Sequence, residues 1–398
     1  MLTISGGSQA LFSAAPVPMR LRHLPGSLNR SRIVAAMRLV FWQQFYSPHQ
    51  YALLNALSHH AQVQTVDLVL DQDVSQERQN MHWAALPYEH LTVHRHPDLA
   101  QIELLVQQAG TVHVFSGLHL DPTSSTGLRR CTQLGRPVAM MAEAGDWHGH
   151  GLKRYPRLAL HMWRRLRYGR HLCQILAIGE LGVRWYRRVG YPSKCLTPFA
   201  YFVAPERLPN ATAPAVPEIL FVGRALAYKG GELLLQALSH LKDQTWHATL
   251  ITQGPEREAW ERCSRVLGLH DRVTFTDFKP PEQVLRHMAD ASMLVLPNIA
   301  DEGWGAVVNE ALFQGTPVLC TTLTGASDMV RGVTERGQVT EPTEEALVLA
   351  LRRQLERGHP SMNDRAQIIK GVKEQWSGES GANRLVQALS PCLHKRGT

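Results

Sequence analysis

The sequence predicts an α/β protein of two doubly wound domains, and three observations lead there. Short apolar runs alternate with helical patterns along most of the chain; a proline-rich stretch interrupts the alternation near its middle; and the alternation then restarts. A chain of 398 residues also exceeds one ordinary hydrophobic core and suits two domains of under about 200 residues each.

The elements follow in chain order. Residues 1–36 hold small, polar and Arg residues with Pro16, Pro18 and Pro25, and no basic start followed by a continuous apolar run. They read as a disordered leader or an upstream start-site artefact, with folding expected from Met37. Arg38 to Trp42 is the first strand, and further strands are predicted over 63–69, 91–94, 112–116, 137–141, 174–178 and 195–198. Helical patterns lie between them near 48–59, 99–109, 125–134 and 183–189, completing a first domain over 37–203. Residues 204–217 carry four prolines in fourteen positions; each locks its own φ and biases its predecessor to extended backbone, so this is a linker. In a second domain, 218–375, strands are predicted over 218–222, 247–251, 272–276, 292–296 and 317–321, and helices over 230–241, 255–267, 281–289, 306–314 and 343–357. A last helix is expected in 376–398, over Trp376 to Leu389. Nothing repeats at a fixed short period, which excludes a solenoid.

Composition narrows the function classes. An apolar fraction of 44% fits a globular protein, and no run of 18 apolar residues is present for a spanning helix. The six cysteines lie singly at 131, 173, 195, 263, 320 and 392, so they read as reduced thiols in a cytosolic chain. The 20 histidines form no metal-ligand spacing, and no metal or other cofactor is expected. The net charge of +8 is uneven: residues 151–194 hold eleven basic side chains and one acid, Glu180. That concentration implies an anionic partner, which is a phospholipid surface, a phosphorylated acceptor or nucleic acid.

Two motifs carry chemistry. Phe221-Val222-Gly223-Arg224, followed by Tyr228-Lys229-Gly230, takes a strand through a glycine turn into a helix. Arg224 and Lys229 are either two cations for a diphosphate or the solvated residues of a surface turn. In Pro297 to Glu310, Gly303 and Gly305 let the backbone approach a ligand closely, next to a helix N-terminus. Glu302 and Glu310 can accept hydrogen bonds from the hydroxyls of two different sugars, or are a helix-start charge and a solvated helix residue.

Glu302-Gly303-Trp304-Gly305 with Glu310, then Gly315-Thr316-Pro317-Val318-Leu319, resembles the signature of glycosyltransferase family 4. Phe221–Arg224 with Lys229-Gly230, Gly254-Pro255 and the Gly325–Asp328 turn are similar to its other loops, and the resemblance covers about 160 residues of the second half. It implies the GT-B fold: two Rossmann-like domains facing across a cleft, with the C-terminal helix crossing back to the first. It further implies a retaining transfer from a nucleotide-sugar donor. On that basis Arg224 and Lys229 hold the donor's diphosphate and, with Glu302, form the catalytic set, stabilising charge on the leaving group. Glu302 also binds hydroxyls of the transferred sugar and Glu310 those of the ribose. Gly223, Gly254 and the amides of Gly303, Trp304, Gly305 and Ala306 complete the donor contacts.

The first domain departs from the family pattern. The loop after its first strand lacks the usual glycine pair, leaving Ser47 and His49 as acceptor or phosphate contacts, unless Ser47 only caps the next helix. Where many relatives have a sugar-contacting histidine this chain has Glu143, which is the expected substitute. His113 and His119 flank the previous strand's end, and His113 joins the candidate acceptor contacts. Asp71-Gln72-Asp73 formally resembles a metal-binding D-x-D but reads as a solvated loop. Lys153 to Arg170 mixes arginines with Trp163 and leucines. It is either an ordinary amphipathic helix or a membrane contact through Trp163, Arg164, Arg165 and Arg167.

The expected function is hexosyl transfer to a lipid-linked or envelope glycan, in the cytoplasm, peripheral on the inner face of the plasma membrane. The rival readings are a nucleotide-sugar epimerase, a non-catalytic nucleotide-sugar binder and, from charge alone, a nucleic-acid module. No nucleic-acid motif accompanies the charge, so no nucleic-acid partner is expected.

Overall fold

A computed structural model describes residues 36–73, 90–118, 121–145, 147–148, 151–203, 208, 213–333 and 336–394. The expected leader up to residue 35, most of the first half of the linker and His119 lie outside the described residues.

β1 (Met37–Gln43) is buried along nearly its whole length, as a parallel strand covered on both faces must be. Among the described residues it sits inside a seven-stranded parallel sheet with β2 (Val63–Leu70), β3 (Thr92–Arg95), β4 (Thr111–Ser116), β5 (Val138–Ala142), β6 (Leu172–Ile178) and β7 (Leu196–Phe199), in the order 3-2-1-4-5-6-7. A second parallel sheet of six strands comprises β8 (Glu218–Val222), β9 (His247–Ile251), β10 (Val273–Thr276), β11 (Met293–Leu296), β12 (Val318–Thr321) and β13 (Gln338–Thr340), in the order 10-9-8-11-12-13. Each order reverses direction at its first strand, between β1 and β4 and between β8 and β11. Loops leaving the carboxyl ends of strands part at such a reversal and open a crevice there.

The helices follow from caps and periodicity. In the first half they are α1 (Tyr51–Ser58), α2 (Leu99–Gln107), α3 (Pro122–Gln133), α4 (Arg154–Tyr168) and α5 (Gly179–Val189). Asp98 opens α2 with a reciprocal box to Gln101, and Asp121 caps α3 through the Ser124 amide at 2.6 Å. In the second half they are α6 (Gly231–Ser239), α7 (Arg257–Val266), α8 (Pro281–Asp290), α9 (Val307–Phe313), α10 (Ser327–Val333), α11 (Glu344–Arg357), α12 (Met362–Trp376) and α13 (Gly378–His394). β13, α10 and α12 were not predicted. β13 has only three residues, all half-buried, and α10 only seven, too short for a periodic signal. The signal for α12 was present in the Ser361–Asp364 capping box. The expected helix from Trp376 starts two residues later, after Ser377 breaks it from α12.

α13 returns to the first domain and packs on α1, β4 and β6. Gly378 lies so close to the Ala52 carbonyl that a Cβ there would overlap it. His60 Nε2 meets Asn383 Oδ1 at 3.1 Å. Beside the helix junction, Trp376 stacks on Phe202 of the first domain at 6.3 Å and tilts against Trp304 of the second at 6.0 Å. One apolar cluster consequently runs from Phe41 and Met141 through Leu385 and Leu389 to Leu294 and Val308.

α13 also overturns one expectation. Cys173 on β6 and Cys392 on α13 form a disulfide, with Cα atoms 5.6 Å apart. Their 219-residue separation hid the pairing from a reading that looked for local cysteine pairs. The cysteine-based argument for a reducing compartment therefore fails. Thiol titration in denaturant without reductant should find four reactive thiols of the six. Cys392→Ser should lower stability by about 2–4 kcal/mol. Six thiols and unchanged stability would refute the linkage.

Candidate functional site

In the second domain the turn after β8 meets the loop after β11. Gly230, at φ +71°, is packed so tightly on the Pro297 carbonyl that a Cβ would overlap it, and the Ile299 amide donates to the Tyr228 carbonyl at 2.9 Å. These contacts bring the half-buried Lys229 ammonium onto the Glu302 carboxylate, to which it donates. Gly254, at φ +141°, lets the loop after β9 close on the same turn; a Cβ would stand 2.7 Å from the Ala225 carbonyl oxygen. Arg224 follows Gly223 on this turn and is exposed.

Glu302 is held by its backbone, its amide donating to Leu323 O at 2.9 Å and its carbonyl accepting from Gly325 N at 3.0 Å. Trp304 turns inward instead: it is buried, and its indole donates to Asn309 Oδ1 at 2.7 Å while Asn309 donates to Tyr201 O at 3.0 Å. The Trp304 side chain is therefore part of the core, and only its backbone can face a ligand. Gly303, Gly305 and Ala306 lead into α9, on whose first turn Glu310 stands. Burial pushes the Glu310 carboxyl up to about 7, since a desolvated carboxylate without a compensating donor favours its neutral form.

The first domain contributes a cavity of about 660 Å³ at its own strand-order reversal, reached by Ser47 and His49 after β1 and by Ser116 at the end of β4. α4 lines another wall with Arg157 and Arg164, and Glu143 after β5 lies between the cavity and the second domain. The Glu143 carboxylate accepts from the Tyr201 hydroxyl, its carbonyl accepts from the Tyr186 hydroxyl at 3.0 Å, and a Cβ at Gly303 would overlap it. Only a glycine at 303 leaves room for this approach. Burial, then the nearby Glu143 charge, keep the Tyr201 hydroxyl protonated, its pKa well above the ordinary value.

Asp301 joins the halves beside the cleft. Its buried carboxylate accepts from the Trp147 amide at 2.5 Å, the His148 amide at 2.8 Å and His148 Nδ1 at 2.7 Å. Trp147 is fixed in turn under the Arg188 guanidinium at 4.0 Å. Asp301, Tyr201 and Asn309 were not among the sequence candidates. Asp301 lay inside the Pro297–Glu310 motif, but nothing local marks a carboxylate whose donors are 153 and 154 positions away.

The candidates thus separate. Lys229 and Glu302 come together, with Gly223, Arg224, Gly254, Gly303, Gly305, Ala306 and Glu310 on the adjoining loops and first helical turn; Ser47, His49 and Glu143 line the facing cavity. Ser47 makes no side-chain cap. His113 is a correction: it is fully buried on β4, lies outside the cavity lining and accepts from Trp42 Nε1 at 3.3 Å. Burial pulls its pKa down to about 3, so it is a neutral core histidine. Arg164 and Arg165 also leave the expected outer face. At about 100° per residue they turn inward while Trp163, 56% exposed, and Arg167 turn outward; Arg164 lines the cavity and Arg165 lies over the Tyr191 ring. Asp71 accepts from the Thr123 amide and Asp73 pairs with Arg95. Among the described residues no three His, Cys, Asp or Glu side chains cluster as metal ligands would.

Comparisons with known proteins bear on both halves. Residues 207–375 match the family model described as Glycosyl transferases group 1. The chain is 35% identical over 132 residues to the 2-deoxystreptamine glucosyltransferase of Streptomyces kanamyceticus, covering 31% of this chain and 34% of that protein. It is 30% identical over 195 residues to the D-inositol 3-phosphate glycosyltransferase of Nocardia farcinica, covering 44% and 43%. The chain therefore spans less than half the length of these curated relatives. Among solved structures it is similar to Anabaena HepE in complex with UDP, with a TM-score of 0.66 and 16% identity over 89% of this chain and 100% of that one. The lipopolysaccharide outer core galactosyltransferase WaaB in its apo form gives 0.64 and 14% over 89% and 99%. At such identities the likeness is one of fold, and that fold is GT-B: two Rossmann-like domains with a C-terminal helix, the second of them matching the group 1 glycosyltransferases.

Proposed function

We propose that the protein is a retaining glycosyltransferase that moves a hexose from a nucleoside diphosphate onto an acceptor held by the first domain. The observation that carries this reading is the opposition of two built half-sites. Lys229, Glu302 and Glu310 stand on one side, and a cavity large enough for a second substrate, closed by Glu143, stands on the other. A nucleotide-sugar epimerase or a simple binder needs no second-substrate cavity. The two curated relatives described above are both sugar transferases, which supports the same reading.

In this mechanism Arg224 and Lys229 neutralise charge developing on the leaving diphosphate. Lys229 has three N–H donors, so it can keep one on Glu302 and offer two to phosphate oxygens. Glu302, locked at its backbone, orients the transferred sugar, and Glu310 accepts from ribose hydroxyls. The acceptor hydroxyl attacks from the side the diphosphate leaves, and the departing phosphate takes its proton. No metal is required by this arrangement of cations.

Arg224→Ala and Lys229→Ala should each lower kcat by about 100- to 1000-fold, as removal of a transition-state charge contact does. Near-normal turnover in both would take the diphosphate away from these residues.

The raised Glu310 pKa gives a separate test. Below its ordinary value of 4.5 the group is neutral in folded and unfolded chains alike and costs nothing. As pH rises towards about 7 the unfolded chain ionises first, so the unliganded protein loses on the order of 2–3 kcal/mol. Glu310→Gln should therefore be the more stable protein at pH 8, yet bind UDP about tenfold more weakly, because an ionised acceptor has been lost. Melting and titration check this; a less stable variant that binds UDP unchanged would contradict it.

The outer face of α4 suits an anionic lipid surface. Trp163 and Leu166 are exposed there beside Arg167, and no described helix is long and apolar enough to cross a membrane. We place the enzyme peripherally on the inner face of the plasma membrane, where it would meet a lipid-linked glycan. Sedimentation should show binding to anionic but not neutral vesicles, weakened by salt and by Trp163→Ala with Arg167→Glu. Equal binding to neutral vesicles would reject the docking.

A further inference from the structure

Asp301 directly precedes Glu302 on the loop after β11, yet its carboxylate serves the first domain. The Trp147 and His148 amides donate to one of its oxygens and His148 Nδ1 to the other. These donors end the stretch that begins with Glu143. The described residues of 143–148 form neither strand nor helix, so contacts with neighbouring elements fix their place. α5 supplies several of these. A Cβ at Gly145 would overlap the Trp185 ring, the Tyr186 hydroxyl donates to the Glu143 carbonyl, and Arg188 covers Trp147. At its start α5 also touches the second domain, where a Cβ on Gly179 would stand 2.6 Å from the Gly325 carbonyl oxygen. Gly325 in turn donates to the Glu302 carbonyl at 3.0 Å. The contacts close a ring: Glu302 to Gly325, Gly325 to α5, α5 to the 143–148 stretch, and that stretch through Asp301 back to Glu302.

We propose that Asp301 is a positioning residue for the transfer, whose three hydrogen bonds set Glu143 of the first domain in register with Glu302 of the second. This rests on the transferase reading of the site given above. The Glu143 carboxylate packs where a Cβ on Gly303 would overlap it, so any shift of 143–148 changes the spacing of the two carboxylates directly. A misplacement of about 1 Å in a group that orients a substrate can cost about 100-fold in rate. Arg224 and Lys229 stand on the turn after β8 and Glu310 on α9, so the nucleotide contacts assigned to them do not pass through Asp301. The residue therefore acts on rate and leaves nucleotide affinity alone. The arrangement needs acceptors in the right places more than it needs the charge. An asparagine of the same shape keeps both amide bonds on its oxygen and can donate to His148 Nδ1 once the ring takes its other tautomer. A glutamate keeps the charge but carries it one methylene further and displaces the stretch.

The test follows UDP release from UDP-glucose and from UDP-galactose by the whole protein, with water as the acceptor, and measures UDP affinity by calorimetry. Asp301→Ala and Asp301→Glu should each lower kcat by about 30- to 100-fold. The donor KM and the UDP Kd should stay within about threefold of wild type, which marks a loss felt only in the transition state. Asp301→Asn should keep kcat within about fivefold of wild type, because its bonds can be remade. His148→Ala, which removes one bond of the three, should fall between the two groups and serves with Asp301→Glu if the alanine variant does not fold. A purely structural clip would lower the melting temperature and leave kcat of the folded protein unchanged, and that result would overturn the proposal. A loss of UDP affinity as large as the loss of rate would overturn it too, by placing Asp301 in the nucleotide site. So would an asparagine variant as slow as the alanine one. A second arm needs no substrate: exchange of the Trp147 and His148 amides should be slow in wild type and Asp301→Asn and fast in Asp301→Glu. Equal exchange in all three refutes the register. If wild type releases UDP from neither donor, the transferase reading fails on its own, and the exchange arm alone decides whether Asp301 sets the 143–148 stretch.

Discussion

Asp301 carries a buried negative charge on the loop that follows β11, and its donors come from the other domain: the Trp147 and His148 amides and the His148 ring. A carboxylate cannot stay desolvated without such partners, and removing them from a buried charge typically costs about 3–5 kcal/mol. The requirement holds the loop after β11 against residues 147–148 of the first domain at hydrogen-bond length. Much else follows from that spacing. Two residues further on, Gly303 passes against Glu143, and a Cβ at Gly179 would stand 2.6 Å from the Gly325 carbonyl oxygen. Glycines stand at these two closest approaches.

The loop around Glu302 is stiffened from behind. Trp304, Asn309 and the Tyr201 carbonyl form a buried relay, and Trp304 also leans on Trp376. An aromatic in the middle of a glycine-rich ligand loop would be a liability if it were mobile. Here it is anchored on both domains, so the flanking glycines bend around a fixed point. Glu302 thus inherits its position from backbone pairing with the 323–325 turn, while Glu310 takes its altered acidity from burial alone.

The position of most strands could be read from the sequence because parallel strands buried on both faces are uninterrupted apolar runs. β8, predicted over 218–222, matches its observed bounds. The turn after β8 was legible because Gly230 and Gly254 mark close backbone approaches, which local sequence records. What escaped was whatever depends on distant partners. Cys173 finds Cys392 through the returning helix, and Asp301 finds its donors across the cleft. His113 looked like a loop residue at a strand end but faces the interior beside Trp42. For α4 composition was visible and rotation was not, so inward and outward arginines were read as one set.

The return of α13 makes the first domain depend on a helix that is synthesised after all of the second domain. The faces of α1, β4 and β6 that this helix covers are apolar, as Leu385 and Leu389 within the shared cluster indicate. During translation that surface stays open while all of the second domain emerges and folds. The usual order, in which an amino-terminal domain completes itself first, is therefore reversed for part of its core. A chain that stops short of α13 would lose its damage-bearing surface cover in the half farthest from the cut.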